Sequence, residues 1–168
     1  MRYVMKQKLW SLGSDFVIKD QEGQPRFSVA SKLLSIGRDL SFNDSAGNQL
    51  ARIHQKILSI GNTYEIYHGD TLFAVVKEGW LPLLTYRFSV EVEGSGHVEI
   101  KGNFSSHEYT FTSNGQTVAT VSRAWFSFTD SYGVDVAPGQ DDVLILACTV
   151  VVDLCTEKNK EHHALPST

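Results

Sequence analysis

A heptapeptide written three times constrains this chain more than any other feature. Gln7-Lys8-Leu9-Trp10-Ser11-Leu12-Gly13 recurs as Ser31-Lys32-Leu33-Leu34-Ser35-Ile36-Gly37 and as Gln55-Lys56-Ile57-Leu58-Ser59-Ile60-Gly61, 24 residues apart both times. Lys, Ser and Gly fall in register in all three copies. Such a repeat marks one supersecondary unit that is stacked on its neighbours. After each Gly the chain alternates apolar and polar residues, turns, and alternates again. The three pairs are Phe16-Val17-Ile18-Lys19 with Arg26-Phe27-Ser28-Val29, Leu40-Ser41-Phe42 with Gln49-Leu50-Ala51-Arg52-Ile53, and Tyr64-Glu65-Ile66-Tyr67 with Thr71-Leu72-Phe73-Ala74-Val75. Period-two alternation predicts strands. The Gly, Asp and Asn between them supply the positive φ that hairpin turns need. Each unit is therefore a hairpin plus a short link.

Three more hairpins follow without the strict period: Phe88–Val92 with His97–Ile100, Tyr109–Thr112 with Thr117–Val121 across Asn114-Gly115, and Trp125–Phe128 with Val134–Val136 across Thr129–Gly133. Six hairpins make about twelve strands, and a meander that long removes its exposed edges by closing on itself. Three clear copies fit a barrel better than a propeller or solenoid.

Past Pro138-Gly139-Gln140-Asp141-Asp142 lies the run from Val143 to Cys155, apolar except for Thr149 and Asp153. A membrane span needs roughly 20 apolar residues, so this run is too short. Its β-branched content suits a buried strand. Its length and the acidic pair before it suit a helix. The local sequence leaves strand and helix evenly balanced, and apolarity on all sides means burial on all sides.

Composition narrows the chemistry. The net charge of −4 lacks the basic excess of a nucleic-acid binder, so no nucleic acid is expected. Cys148 and Cys155 are too few for a disulfide framework and form no CxxC pair. The first residues show no secretory h-region, and no Gly follows Met1 for myristoylation. A reducing, cytoplasmic setting is the expectation.

Candidate chemistry is sparse. His107-Glu108-Tyr109 resembles a catalytic cluster, but in a strand Glu108 would face away from the other two, and a hairpin surface with a core Tyr explains the residues. The histidines, including His162-His163, lack metal-ligand spacing. Asp130, Asp135, Asp141 and Asp142 do not follow a calcium-loop spacing and read as turn and cap residues. Lys8, Lys32 and Lys56 occupy equal places in the repeat, each on the side of Trp10, Leu34 or Leu58. They read as snorkelling lysines at a barrel rim, or as a ring of ammoniums for an anionic ligand to which Arg52 would add. Trp80-Leu81-Pro82-Leu83-Leu84 reads as core, with an exposed apolar contact patch as the competing reading.

Tyr3–Lys8, Gly47-Asn48, Tyr64–Tyr67, His107–Phe111, Trp125–Asp135 and Leu144–Cys148 together resemble the LURP-one-related family, a Tubby C-terminal-like group distantly related to phospholipid scramblases. The resemblance implies a mainly β fold: a closed antiparallel barrel of about twelve strands around a buried C-terminal hydrophobic helix. It tips residues 143–155 to helix and covers residues 1–156 as one domain, while 157–168 read from their polar composition as a disordered tail. Tubby-like domains bind phosphoinositide head groups through a basic pocket, and no comparable cluster is present here. Scramblases carry an acidic calcium segment, which Asp130, Asp135, Asp141 and Asp142 only loosely resemble, and palmitoylated cysteines, for which no cysteine-rich N-terminus is found in this sequence. The expectation is a non-enzymatic binding or scaffold module without cofactor or metal. Its partner would be an anionic lipid head group or a protein, and it would be peripheral rather than integral at any membrane. The alternative is an enzyme or small-molecule carrier with a pocket at the barrel mouth. Asp153 is expected at the barrel exit in a surface-like setting, with a buried ion pair to a wall Arg as the competing reading.

Overall fold

Burial alternates along the chain as the sequence pattern requires. Phe16, Ile18 and Asp20 are buried while Val17 and Lys19 face out. The computed structural model describes residues 1–6, 15–32, 36–79, 87–94, 96–125 and 130–164, with side chains through 161. It contains β1 (Arg2–Lys6), β2 (Phe16–Asp20), β3 (Pro25–Ser31), β4 (Asp39–Asp44), β5 (Gln49–Gln55), β6 (Thr63–His68), β7 (Thr71–Gly79), β8 (Arg87–Val92), β9 (Gly96–Asn103), β10 (Glu108–Ser113), β11 (Gln116–Ser122), β12 (Ser131–Val136) and α1 (Asp142–Ala164).

Every strand pairs antiparallel with its chain neighbours, and β1 closes the barrel on β12 with Tyr3 opposite Val134 and Met5 opposite Tyr132. The twelve-strand closure expected from the sequence is present. Its last pair differs. Ser131–Val136 is one strand, so Tyr132 and Gly133 are strand rather than turn, and the twelfth strand is Arg2–Lys6. Residues 126–129 lie outside the described residues. The 24-residue period survives as geometry. The ladder shifts register after Ile18, after Phe42 and after Ile66, each just before a tight turn. An extra residue at these places increases local twist and curls the rim.

Up-and-down connectivity gives the barrel two unlike poles. The tight turns after β2, β4, β6, β8 and β10 lie at one pole, where α1 enters. The links after β1, β3, β5, β7, β9 and β11 lie at the other, where α1 leaves.

The 143–155 run is a helix. Asp141 caps it by accepting from the Leu144 amide at 3.0 Å through its carboxylate, while its carbonyl accepts from the Ile145 amide at 3.0 Å. Leu144 through Cys155 are buried on all sides against Phe42, Ile53, Ile66, Val76, Phe88, Ile100 and Phe111 from the wall. The dry interior tolerates Thr149 and Thr156 because each hydroxyl donates to a carbonyl one turn back, at 2.9 and 2.8 Å. The helix continues past residue 156 to Ala164, where a tail was expected. Its last turns are latched to the rim: Lys158 Nζ donates to Asn62 Oδ1 at 3.1 Å, Asn159 Nδ2 donates to Glu78 Oε1 at 2.9 Å, and Asn62 donates to the other Glu78 oxygen. No helix of the described residues is long and apolar enough to cross a membrane.

Both cysteines are buried on α1, and burial pushes both thiols well above their ordinary range. Thiol labelling of the native protein is therefore expected to be slow at both positions and to become fast only on unfolding, because the thiolate is the nucleophile.

Candidate functional site

The second and third copies of the repeated heptapeptide run from the ends of β3 and β5 into the β3–β4 and β5–β6 links at the exit pole, and the first copy lies outside the described residues. The copy between β5 and β6 shows what each repeated residue does. The Lys56 amide donates to the Thr63 carbonyl at 2.9 Å, closing the base of the link. The Ser59 hydroxyl lies 2.8 Å from the Lys56 carbonyl and 3.1 Å from the Gly61 carbonyl, so one proton bridges the two sides. Gly61 turns the chain with φ +80°, as Gly37 does in the preceding copy with φ +84°. This region favours glycine because it lacks Cβ. Held this way, the link turns its apolar side chains outward. Leu58 is 97% exposed, Ile60 is fully exposed, and Ile36, the equivalent of Ile60, is 85% exposed. Ile57 is half-exposed and reaches the neighbouring link, its Cδ1 3.0 Å from where a Gly37 Cβ would stand.

The sequence-predicted cations are placed as follows. Lys32, at the end of β3, and Lys56, at the end of β5, are both exposed at this same rim. Lys56 reaches Glu65 at 3.3 Å, an exposed pair of small energetic value. Lys8 lies outside the described residues, as do residues 80–86. Arg52 is engaged elsewhere. Its Nε donates to Asp39 Oδ1 at 2.8 Å and its Nη2 to Asp39 Oδ2 at 2.5 Å, with His54 Nδ1 3.8 Å from the same carboxylate. Arg38, exposed beside Gly37, joins the cationic rim although the repeat gives it no equivalent.

The Arg52 fork holds the buried Asp39 carboxyl below the usual carboxylate range. A depressed folded pKa contributes stability that is present above the unfolded value of about 3.9 and is lost as pH falls through the folded value. Arg52→Ala is expected to remove that contribution at neutral pH and to flatten the acid limb of the stability profile. Urea midpoints from pH 7 down to pH 3 check this, and a parallel offset at every pH would contradict it.

The described links and turns of the two poles differ in charge. The exit-pole links contain Lys32, Arg38, Lys56 and Arg123 against Asp15 and Asp130 among the described residues. The entry-pole turns, with the β12–α1 connection, contain Glu22, Asp70, Glu93 and Asp141 and no Lys or Arg.

Beneath the exit pole lies a polar cluster that sequence reasoning missed. Asp153 is 6% exposed, not surface-like, and its partner is not an arginine. Tyr132 donates its hydroxyl to Asp153 Oδ2, and His107 Nε2 stands 3.5 Å from Oδ1. The His107 ring stacks on Tyr132 at 4.3 Å, and Met5 Sδ lies 3.7 Å from the Tyr132 hydroxyl. Burial and the neighbouring Asp153 carboxyl raise the Tyr109 and Tyr132 phenols well above their ordinary range. His107 and Tyr109 point inward and Glu108 outward, as alternation requires, although His107 is buried rather than at a hairpin surface. The only signal for the cluster in the sequence is Asp153 itself, because the pattern around Tyr132 predicts a turn.

The four aspartates weighed for calcium are scattered. Asp135 pairs with Arg2 at 3.3 Å, Asp142 accepts from Tyr3, Asp141 caps α1, and Asp130 lies at the opposite pole from Asp141. Among the described residues no group of His, Cys, Asp or Glu is arranged to hold a metal ion.

A crystal structure of an Arabidopsis thaliana protein has the same fold, with a TM-score of 0.67 at 16% identity over 94% of this chain and 90% of that one. No curated protein matches the sequence. The family model described as LURP-one-related matches residues 1–153, and with its β1–β12 closure and interior helix in place this chain belongs to that family.

Proposed function

We propose that this LURP-one-related protein is a non-enzymatic binding module, working in the cytoplasm, whose contact face is the exit pole. The observation that carries this reading is the exposure of Ile36, Leu58 and Ile60 at places that recur through the repeat. Large apolar side chains in water cost solubility, and folding draws nothing from residues that pack on nothing. The β5–β6 link is tied by Ser59 and Gly61 in a way that keeps Leu58 and Ile60 out, which suits a contact made with something else. An enzyme or carrier would need room at a barrel mouth. Here α1 crosses both mouths, tied to Tyr3 at one and to Asn62 and Glu78 at the other. The outer wall of β7–β9 carries paired charges, Lys77 with Glu91 and Glu99 with Arg87 and Lys101, a surface suited to water.

An environment-sensitive dye tests the reading. It is placed at Leu58→Cys at the exit pole or at Asp70→Cys at the entry pole, the native thiols being buried. Membrane and soluble fractions of a cell extract are then added separately. A blue shift at position 58 and none at 70, with either fraction, is expected. Equal shifts at both positions, or none with either fraction, would overturn the reading.

A further inference from the structure

We infer that the partner of the exit pole is an anionic lipid bilayer, met end-on, with Leu58 and Ile60 entering the interface and Lys32, Arg38 and Lys56 at the level of the head groups. This rests on the exit pole being the contact face and adds what that face meets.

Three observations favour a bilayer over a protein. First, the apolar side chains are presented on tight links that rise from the rim, Ile36 on one and Leu58 and Ile60 on the next. A stable protein interface needs a continuous complementary face of about 800 Å² per partner. A fluid interface accepts separate tips, each contributing its own buried area. Second, cations flank those tips. Lys32 and Arg38 bracket the link carrying Ile36, and Lys56 begins the link carrying Leu58 and Ile60. This pairing of apolar tip and basic base matches a hydrocarbon region beneath a layer of negative head groups. Third, the tight turns of the far pole carry Glu22, Asp70 and Glu93 and no Lys or Arg. A negative surface repels those turns, which disfavours docking by the far pole. The Leu58 and Ile60 tip is already ordered by Ser59 and Gly61, so docking it loses little conformational entropy.

The test is vesicle flotation of the full chain. The vesicles are phosphatidylcholine alone, phosphatidylcholine with phosphatidylserine, and phosphatidylcholine with a phosphoinositide, each at low and high salt. Binding to both anionic compositions, weakened by salt, is expected. Leu58→Asp with Ile60→Asp is expected to lower partitioning about tenfold or more, since two apolar insertions are lost. Lys32→Glu with Lys56→Glu is expected to lower it on anionic vesicles by about fivefold or more per lysine and to leave neutral vesicles unchanged. Asp70→Lys at the entry pole is expected to have no such effect. Wild-type protein that floats with no vesicle, or that floats equally well with both tips charged, would overturn the bilayer assignment. If the dye at position 58 still shifts with the soluble fraction while no vesicle binds, the contact face stands and its partner is a protein.

Discussion

Gly102→Ala is expected to destabilise the protein by about 3 kcal/mol or more, in the range reserved for backbone strain combined with a steric clash. Gly102 lies on β9 opposite Tyr109 of β10, with φ +145°, a region that L side chains rarely occupy. A Cβ there would stand 2.4 Å from the Glu108 carbonyl oxygen and 2.5 Å from Tyr109 Cα. Both obstacles are backbone, so no side chain can swing aside. The ladder would have to open directly after His107, which already holds a left-handed φ of 55°. Tyr109, in the core beneath the exit pole, would move with it. Gly47→Ala is the control, since its φ is also positive but nothing lies within 4 Å of an added Cβ. Urea denaturation should show a much larger midpoint loss for Gly102→Ala than for Gly47→Ala at unchanged slope. Equal losses would mean that φ alone matters and that the close approach of β9 and β10 has been misjudged.

Asp153→Ala is expected to cost about 2–3 kcal/mol, the cost of leaving a buried hydroxyl without its acceptor. The loss has two parts. The Tyr132 hydroxyl, buried with Met5 Sδ as its other polar neighbour, loses a carboxylate acceptor. His107 Nε2 loses the oxygen 3.5 Å away. Asp153→Asn keeps an oxygen for Tyr132 and should cost less, about 1–2 kcal/mol, because the hydroxyl retains an acceptor. A Tyr132→Phe partner completes the cycle. In Asp153→Ala the Tyr132→Phe change should be nearly neutral, whereas in the wild-type background it should cost at least 1 kcal/mol. A loss below about 1 kcal/mol for Asp153→Ala would return this residue to a surface-like setting.

The fold was legible because the repeat and the hairpin chemistry agree. Ile18, Phe42 and Ile66 stand 24 residues apart, all point inward, and all precede the same register shift. Helix over strand at 143–155 was not legible locally, because an all-apolar run carries no period to read. Asp141 as its cap and the threonines bonding back along the helix decide the matter in three dimensions. The helical stretch 157–164 looked like a tail because its stabilising contacts, to Asn62 and Glu78, are about 80 to 96 residues away in sequence. At the candidate site, the lysines at a rim were readable from the repeat, while the outward turn of Leu58 and Ile60 was not. Apolar residues in register read as core until topology places them in links. Arg52 looked available because the sequence does not reveal that Asp39 on the adjacent strand faces it.

Spin-label accessibility at Leu58→Cys and Asp70→Cys, on vesicles of phosphatidylcholine with phosphatidylserine, tests end-on docking most directly. On membrane binding the label at 58 should gain contact with oxygen, which concentrates in hydrocarbon, and lose contact with a water-soluble nickel chelate. The label at 70 should remain as accessible to the chelate as it is in solution. A label at 58 that stays in water on bound protein, or one at 70 that becomes shielded, would show that the exit pole does not enter the bilayer.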